Sequence, residues 1–110
     1  MVLVHACLSV DGWHRWPNAP ERQRFLSLSH RHQFQIKAIV RATHQDRQVE
    51  CFDLQDAVRQ SLAAWRQTDG TYEFGSMSCE MIASHIVSTA KLWSCEVSED
   101  GLQGAAVTGE

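Results

Sequence analysis

The stretch His30-Arg31-His32-Gln33-Phe34-Gln35-Ile36-Lys37-Ala38-Ile39-Val40 decides the fold. Phe34, Ile36, Ala38 and Val40 alternate with Gln33, Gln35 and Lys37, so a strand here has one apolar and one polar face. His30 and His32 share the apolar parity and stand at the mouth of that inward face. Upstream, Val2, Val4, Ala6, Leu8 and Val10 share one parity, with His5 and Ser9 on the other, which predicts a first strand. His14 has the parity of Leu8 and Val10 and falls just beyond the end of that strand. A hairpin of the two strands brings His14 to the start of the second, where the three rings converge.

Two residues along a strand stand about 6.5 Å apart, so both imidazoles of a His-x-His pair can reach one ion. Three neutral nitrogens leave the fourth tetrahedral position for water or substrate, the arrangement of a catalytic metal and not a structural one. The competing reading is plainer. A His-x-His pair also occurs as polar residues near a strand end, with no metal at all.

Outward from this hairpin the chain reads as one domain, residues 1–110. A hydrophobic fraction of 44%, a charged fraction of 21% and a net charge of -3 are those of an ordinary globular protein. They leave no basic footprint for nucleic acid or an anionic membrane surface. Arginines and histidines crowd residues 14–32, with Glu21 the only acid among them, and this is read as a solvated loop. No apolar run approaches a membrane span, and the N-terminus lacks the positive start of a signal peptide. Cys7, Cys51, Cys79 and Cys95 are scattered with no CxxC pair, as expected of reduced thiols in a cytoplasmic protein.

Pro17, Asn18 and Pro20 mark a loop over residues 15–29. A polar turn at residues 44–47 leads to a short strand near residues 49–52. Asp53 is the expected N-cap of a first helix, with Leu54, Ala57, Val58, Ser61, Leu62 and Trp65 as its buried stripe. Residues 68–75 form a loop, and Ser78 caps a second helix whose inner face holds Ile82, Ala83, Ile86, Ala90 and Trp93. Cys95 and Val97 begin another strand, Asp100-Gly101 signals a tight turn, and residues 105–108 return as the last strand. The order is ββααββ, an α+β arrangement with the residue 49–52 strand as an addition.

Five motifs in this order resemble the 6-pyruvoyl-tetrahydropterin synthase and 6-carboxy-tetrahydropterin synthase family. Leu8-Ser-Val-Asp-Gly-Trp-His14-Arg15-Trp16 is similar to the family's first-strand pattern ending in Ala-His-Arg-Leu. His30-Arg31-His32 is similar to its His-Gly-His, and Asp53-Leu54 to its Asp-Phe segment. Ser78-Cys79-Glu80 resembles its Thr-Ser-Glu helix start. Val97-Ser98-Glu99-Asp100 resembles its Val-x-Glu-Thr, and the chain also ends in a similar Gly-Glu. The resemblance implies a T-fold: an antiparallel four-stranded sheet with two helices on one face. It implies Zn2+ on His14, His30 and His32. It implies Glu99 as the carboxylate that holds the guanidine-like edge of a pterin, two acceptors matched to two N–H donors. It also implies a homo-oligomer, a hexamer or another barrel-forming assembly. The chemistry it implies is that of a lyase on a dihydroneopterin triphosphate-like substrate, leading to a tetrahydropterin or a 7-deazapurine precursor.

The departures from the family lie in proton transfer. Its catalytic cysteine stands four residues before the His-x-His, where this chain has Leu26. Its Asp-His pair between the helices is Asp69-Gly70 here, and Arg31 replaces a glycine between two ligands. Candidate substitutes for the base are Cys79, through a helix N-terminus that lowers thiol pKa, and Asp69 or Glu21. Ser27 and Ser29 flank the lost cysteine without an activating partner. Each has a plainer reading: a small core residue for Cys79, loop carboxylates for Asp69 and Glu21. Glu80 either touches ligand or favours the helix start. Three functions therefore stand open: a divergent synthase, a non-catalytic zinc protein that binds a pterin or purine-like ligand, and an interaction module without metal.

Overall fold

A computed structural model describes residues 1–109. Glu110, the second residue of the Gly-Glu ending, lies outside the described residues. Strands β1 (Val2–His14) and β2 (His30–Ala42) form a long antiparallel hairpin, paired from Val2 opposite Ala42 to His14 opposite His30. Helices α1 (Cys51–Ser61) and α2 (Cys79–Ala90) follow, separated by the two-residue strand β3 (Tyr72–Glu73). Strands β4 (Ser94–Glu99) and β5 (Gln103–Thr108) close the chain as a second hairpin. The sheet order is β3-β1-β2-β4-β5. No helix among the described residues is long and apolar enough to cross a membrane.

The alternation read from the sequence becomes the core. Ala6, Val10, Phe34, Ile36, Ala38, Cys95 and Val97 face Leu54, Val58 and Leu62 from the α1 side and Ile82, Ala83 and Ile86 of α2. Both helices thus cover one face of the sheet, while Cys7, Ser9, Gln33 and Gln35 on the other face stay exposed. Ser78 caps α2 as expected, its Oγ accepting the Met81 amide at 3.2 Å. The turn between β4 and β5 places Asp100 at φ 57° and Gly101 at φ 73°, the paired left-handed conformation that Asp-Gly adopts readily.

Five expectations need correction. The sheet has five strands and not four, because β3 adds itself in parallel beside Gly12 and Trp13 of β1. The stretch at residues 49–52 is not a strand: α1 begins at Cys51. Glu50, not Asp53, is its N-cap, accepting the Asp53 amide at 2.7 Å. A short apolar run fits helix or strand equally well by pattern, and a side-chain cap three residues before Asp53 tips it to helix. Residues 15–29 are not wholly irregular either, since residues 21–27 wind into a 3-10 turn. Lastly, α2 stops at Ala90, so the residue buried beyond its end is Leu92 and Trp93 is only half-buried.

Gly12 lies inward on β1 where a side chain would collide. An added Cβ would stand 2.6 Å from Phe74 and 3.0 Å from Phe34, the two rings that floor the histidine cluster. Gly12→Ala is therefore expected to destabilise the protein by about 1–3 kcal/mol, the usual range for overpacking. Urea unfolding measures it, and an unchanged midpoint would show that the rings yield freely.

Candidate metal centre and adjoining pocket

The hairpin register places the three histidines. His14 ends β1 directly opposite His30, and His32 stands opposite Gly12, all on the inward face. The ring centroids lie 4.6 Å (His14–His30), 5.4 Å (His14–His32) and 5.0 Å (His30–His32) apart. One ligand nitrogen from each ring lies within 4.8 Å of the other two. Small side-chain rotations bring such a set onto an ion with bonds of about 2.0–2.1 Å.

The second nitrogen of each ring decides whether a cation fits. His14 Nδ1 bonds the Met77 carbonyl at 2.9 Å, His30 Nδ1 the Leu28 carbonyl at 2.8 Å, and His32 Nδ1 the Asp100 carboxylate at 2.7 Å. Carbonyl and carboxylate oxygens only accept, so each Nδ1 carries a hydrogen, and in the neutral ring the Nε2 keeps the lone pair that a metal takes. The Nε2 atoms of His14 and His32 are buried and have no hydrogen-bond partner. A buried acceptor without a donor is costly, and a metal ion relieves that cost. Burial also pushes the His14 pKa below its ordinary value, against the opposing pull of the Met77 carbonyl and the Glu99 charge. The imidazole therefore stays neutral, the form that ligates.

Asp100 completes the outer layer. It accepts from His32 Nδ1 and from the Gln33 amide at 2.9 Å, and these bonds hold its carboxyl below the usual range. A carboxylate behind a ligating histidine fixes the ring's tautomer and orientation. Sequence reasoning took Asp100 as a turn residue and as the last position of the Val-x-Glu-Thr resemblance, with no part at the histidines. Its part became visible once β4 paired with β2, which sets the β4–β5 turn beside His32.

Glu99 faces inward across from Phe34. Its Oε2 lies 2.9 Å from His32 Nε2 and its Oε1 3.6 Å from His14 Nε2. Although the first distance suits a hydrogen bond, its angles do not, and His32 Nε2 stays unpartnered. The Cys79 thiol donates to Glu99 Oε1 at 3.6 Å. Burial, then the Glu99 charge, push that thiol up to about 12, opposite to the direction expected of a helix N-terminus. Cys79 is thus a thiol and a donor, not a ready base. Cys95 is likewise pushed up to about 12 by burial, while Cys7 and Cys51 are exposed. Iodoacetamide at mildly alkaline pH should modify two of the four cysteines in the native protein, Cys7 and Cys51, and all four after unfolding. Fast native labelling of Cys79 by peptide mass mapping would contradict its burial.

Beside the histidines opens a pocket of about 530 Å³ lined by His14, His30, Leu26, Cys79, Glu80 and Glu99, among others. That volume suits a small organic ligand. The pocket gathers four expected residues besides His14 and His30: the lost-cysteine position Leu26, and Cys79, Glu80 and Glu99. Asp69 is not among them. It lines a separate cavity of about 810 Å³ with Arg31, Arg66 and Tyr72. There its carboxylate accepts the Thr71 hydroxyl at 2.7 Å and the Thr71 amide at 2.9 Å, which lower its pKa. Glu21 is exposed and pairs with Arg24 at 2.7 Å, and Ser27 donates to the Arg24 carbonyl at 2.6 Å. Within this chain neither carboxylate is brought to the histidines.

A two-strand hairpin, two helices on one face and a closing hairpin define a T-fold. Among solved structures, 6-pyruvoyl tetrahydropterin synthase of Caenorhabditis elegans matches with a TM-score of 0.69, over 99% of this chain and 96% of that one. The two share 12% identity, so the likeness establishes the fold. No family profile and no curated protein matches this sequence.

Proposed function

We propose that His14, His30 and His32 hold a zinc ion at the mouth of the 530 Å³ pocket, and that the pocket takes a pterin-like molecule. The observation that carries this reading is the pattern of ring nitrogens: every Nδ1 is hydrogen-bonded, and the Nε2 atoms of His14 and His32 are buried without a partner. A bound zinc supplies Lewis acidity toward oxygens on the ligand's side chain. The chain's own residues hold and shape. Asp100 fixes His32, Glu99 offers two acceptors to the aminopyrimidine edge, and Leu26 and Met77 supply apolar wall. The likeness to a tetrahydropterin synthase supports a dihydroneopterin triphosphate-like substrate and lyase chemistry, for a pterin or 7-deazapurine precursor. Four free thiols fit a cytoplasmic protein. Strand β5, an edge without charged residues, supports assembly into a homo-oligomer.

One observation favours the second reading, binding without turnover. Leu26 has no proton to move, and the buried Cys79 thiol is too weak an acid to replace a catalytic thiolate. Metal content by plasma mass spectrometry, followed by calorimetry with neopterin, tests the shared core of both readings. Near one zinc per chain is expected. Glu99→Gln should keep that zinc and weaken neopterin by roughly a hundredfold or more, because two charge-assisted bonds are lost. Unchanged neopterin affinity would remove Glu99 as anchor, and absence of zinc after reconstitution would remove the metal. Turnover of dihydroneopterin triphosphate then separates synthase from binding protein.

A further inference from the structure

Charge is sorted between the two cavities. The pocket beside the histidines is lined by the carboxylates of Glu80 and Glu99 and by one arginine, Arg15. The cavity of about 810 Å³ is lined by three arginines, Arg31, Arg59 and Arg66, against two aspartates, Asp11 and Asp69. Both aspartates are already engaged. Asp11 accepts from Arg31 at 2.7 Å, and Asp69 accepts from the Thr71 hydroxyl and amide. A guanidinium carries several N–H donors in a planar fork, and a single carboxylate contact leaves most of them free. Arg31 makes one such contact to Asp11, and Arg59 makes one to Asp56 at 3.2 Å. Arg66 has no ion pair among the described residues. Its backbone is fixed all the same. It bridges to Tyr72 across a turn closed by the Gln67 amide on the Thr71 carbonyl at 2.7 Å. Arg31 is steadied by Asp11 and by the Trp13 ring, 6.0 Å from its guanidinium carbon.

We propose that this cavity is a second binding site, for an oligophosphate anion, with Arg31 and Arg66 as its principal donors and Arg59 beside them. Forked guanidinium donors match phosphate oxygens in pairs, and such charge-assisted bonds are the strong ones. The volume, about 810 Å³, holds several linked phosphate groups. The acidic pocket beside the histidines repels the same anion, so phosphate charge is directed here. The cavity opens along the edge of β1 ahead of Gly12, where β3 no longer pairs. An anion can therefore enter free from solution. It can also enter as the phosphate tail of a ligand whose ring lies in a neighbouring copy's pocket, and only this second source rests on the function proposed above.

Calorimetry with inorganic tripolyphosphate at low salt tests this. About one anion per chain is expected, bound more weakly as salt is added. Chelator-treated protein should bind it equally well, so failure of the zinc reading leaves this one standing. Arg31→Gln and Arg66→Gln should each weaken it by about tenfold or more, and Arg66→Lys by less. Arg47→Gln, at an exposed arginine outside the cavity, should change nothing. Should Arg31→Gln disturb folding by releasing Asp11, the exposed Arg66 carries the test. Neopterin and neopterin triphosphate then separate the two sources. If the tail of the pterin ligand is the anion, the triphosphate binds more tightly than neopterin and Arg66→Gln removes that advantage. If the anion is free, the two pterins bind alike and tripolyphosphate binds with neopterin present. Both outcomes support the site. Absence of tripolyphosphate binding to the wild-type protein overturns it, and so does equal weakening by Arg47→Gln, which would mean that overall charge alone attracts the anion.

Discussion

His32→Ala is expected to lose the metal. His32 is the one histidine of the three with a carboxylate near each ring nitrogen, Asp100 at 2.7 Å from Nδ1 and Glu99 at 2.9 Å from Nε2. Metal binding in small zinc sites is worth about 10–16 kcal/mol, so one of three nitrogens carries roughly 3–5 kcal/mol. Affinity should fall by about a hundredfold or more. Asp100→Asn, which keeps the ring and weakens the partner behind it, should cost about tenfold to a hundredfold. Competition against a chromophoric chelator ranks wild type, Asp100→Asn and His32→Ala in that order. A His32→Ala protein that keeps one metal at wild-type affinity would show that the three rings do not act together.

Phe34→Ala should be the most damaging change in the core, and it reaches the site as well. Phe34 is fully buried and lies edge-on to His14 (5.1 Å), His32 (5.8 Å) and Phe74 (5.2 Å). Removing the ring costs about 3–5 kcal/mol through lost transfer energy and the cavity left behind. It also removes the wall against which two ligands are oriented. Urea unfolding should show the loss, and metal affinity of the folded variant should fall with it. Stability reduced by less than about 1 kcal/mol would mean the rings collapse to fill the gap.

The parity of β1 and β2 was legible because a strand repeats every two residues, and the histidines could be placed on the inward face by counting from Phe34. The register itself was not. The connection from β1 to β2 is too long to fix pairing as a two-residue turn does, so His14 opposite His30 had to come from the structure. Strand β3 was illegible because two residues carry no period; the Phe74 amide bond to the Trp13 carbonyl at 2.9 Å helps to hold it beside β1. The motif order pointed to Glu99, but nothing in it showed the carboxylate leaning on the histidines. Cys79 was legible as a helix-start residue and not as a buried one. Burial raised its pKa where the helix end alone would lower it. Asp69 looked like a surviving catalytic carboxylate, yet within one chain it closes its own turn onto Thr71.

The hairpin has a consequence for how this chain tolerates change in length. Inward residues from His30 to Ala42 hold a single phase with the core, so one added or deleted residue in the middle of β2 would turn either the ligands or the apolar set outward. The link from His14 to His30 is tied near its ends by the Arg15 amide to Gly75, the Trp16 amide to Leu26 and the His30 ring to Leu28, with short-range turn bonds from the Ala19 and Gln23 amides between them. Its exposed tip around Asn18 and Arg22 bears no such phase. A peptide tag or a reporter can be spliced in there while the ligand geometry survives, whereas a single-codon slip in β2 would set centre and core out of phase with each other.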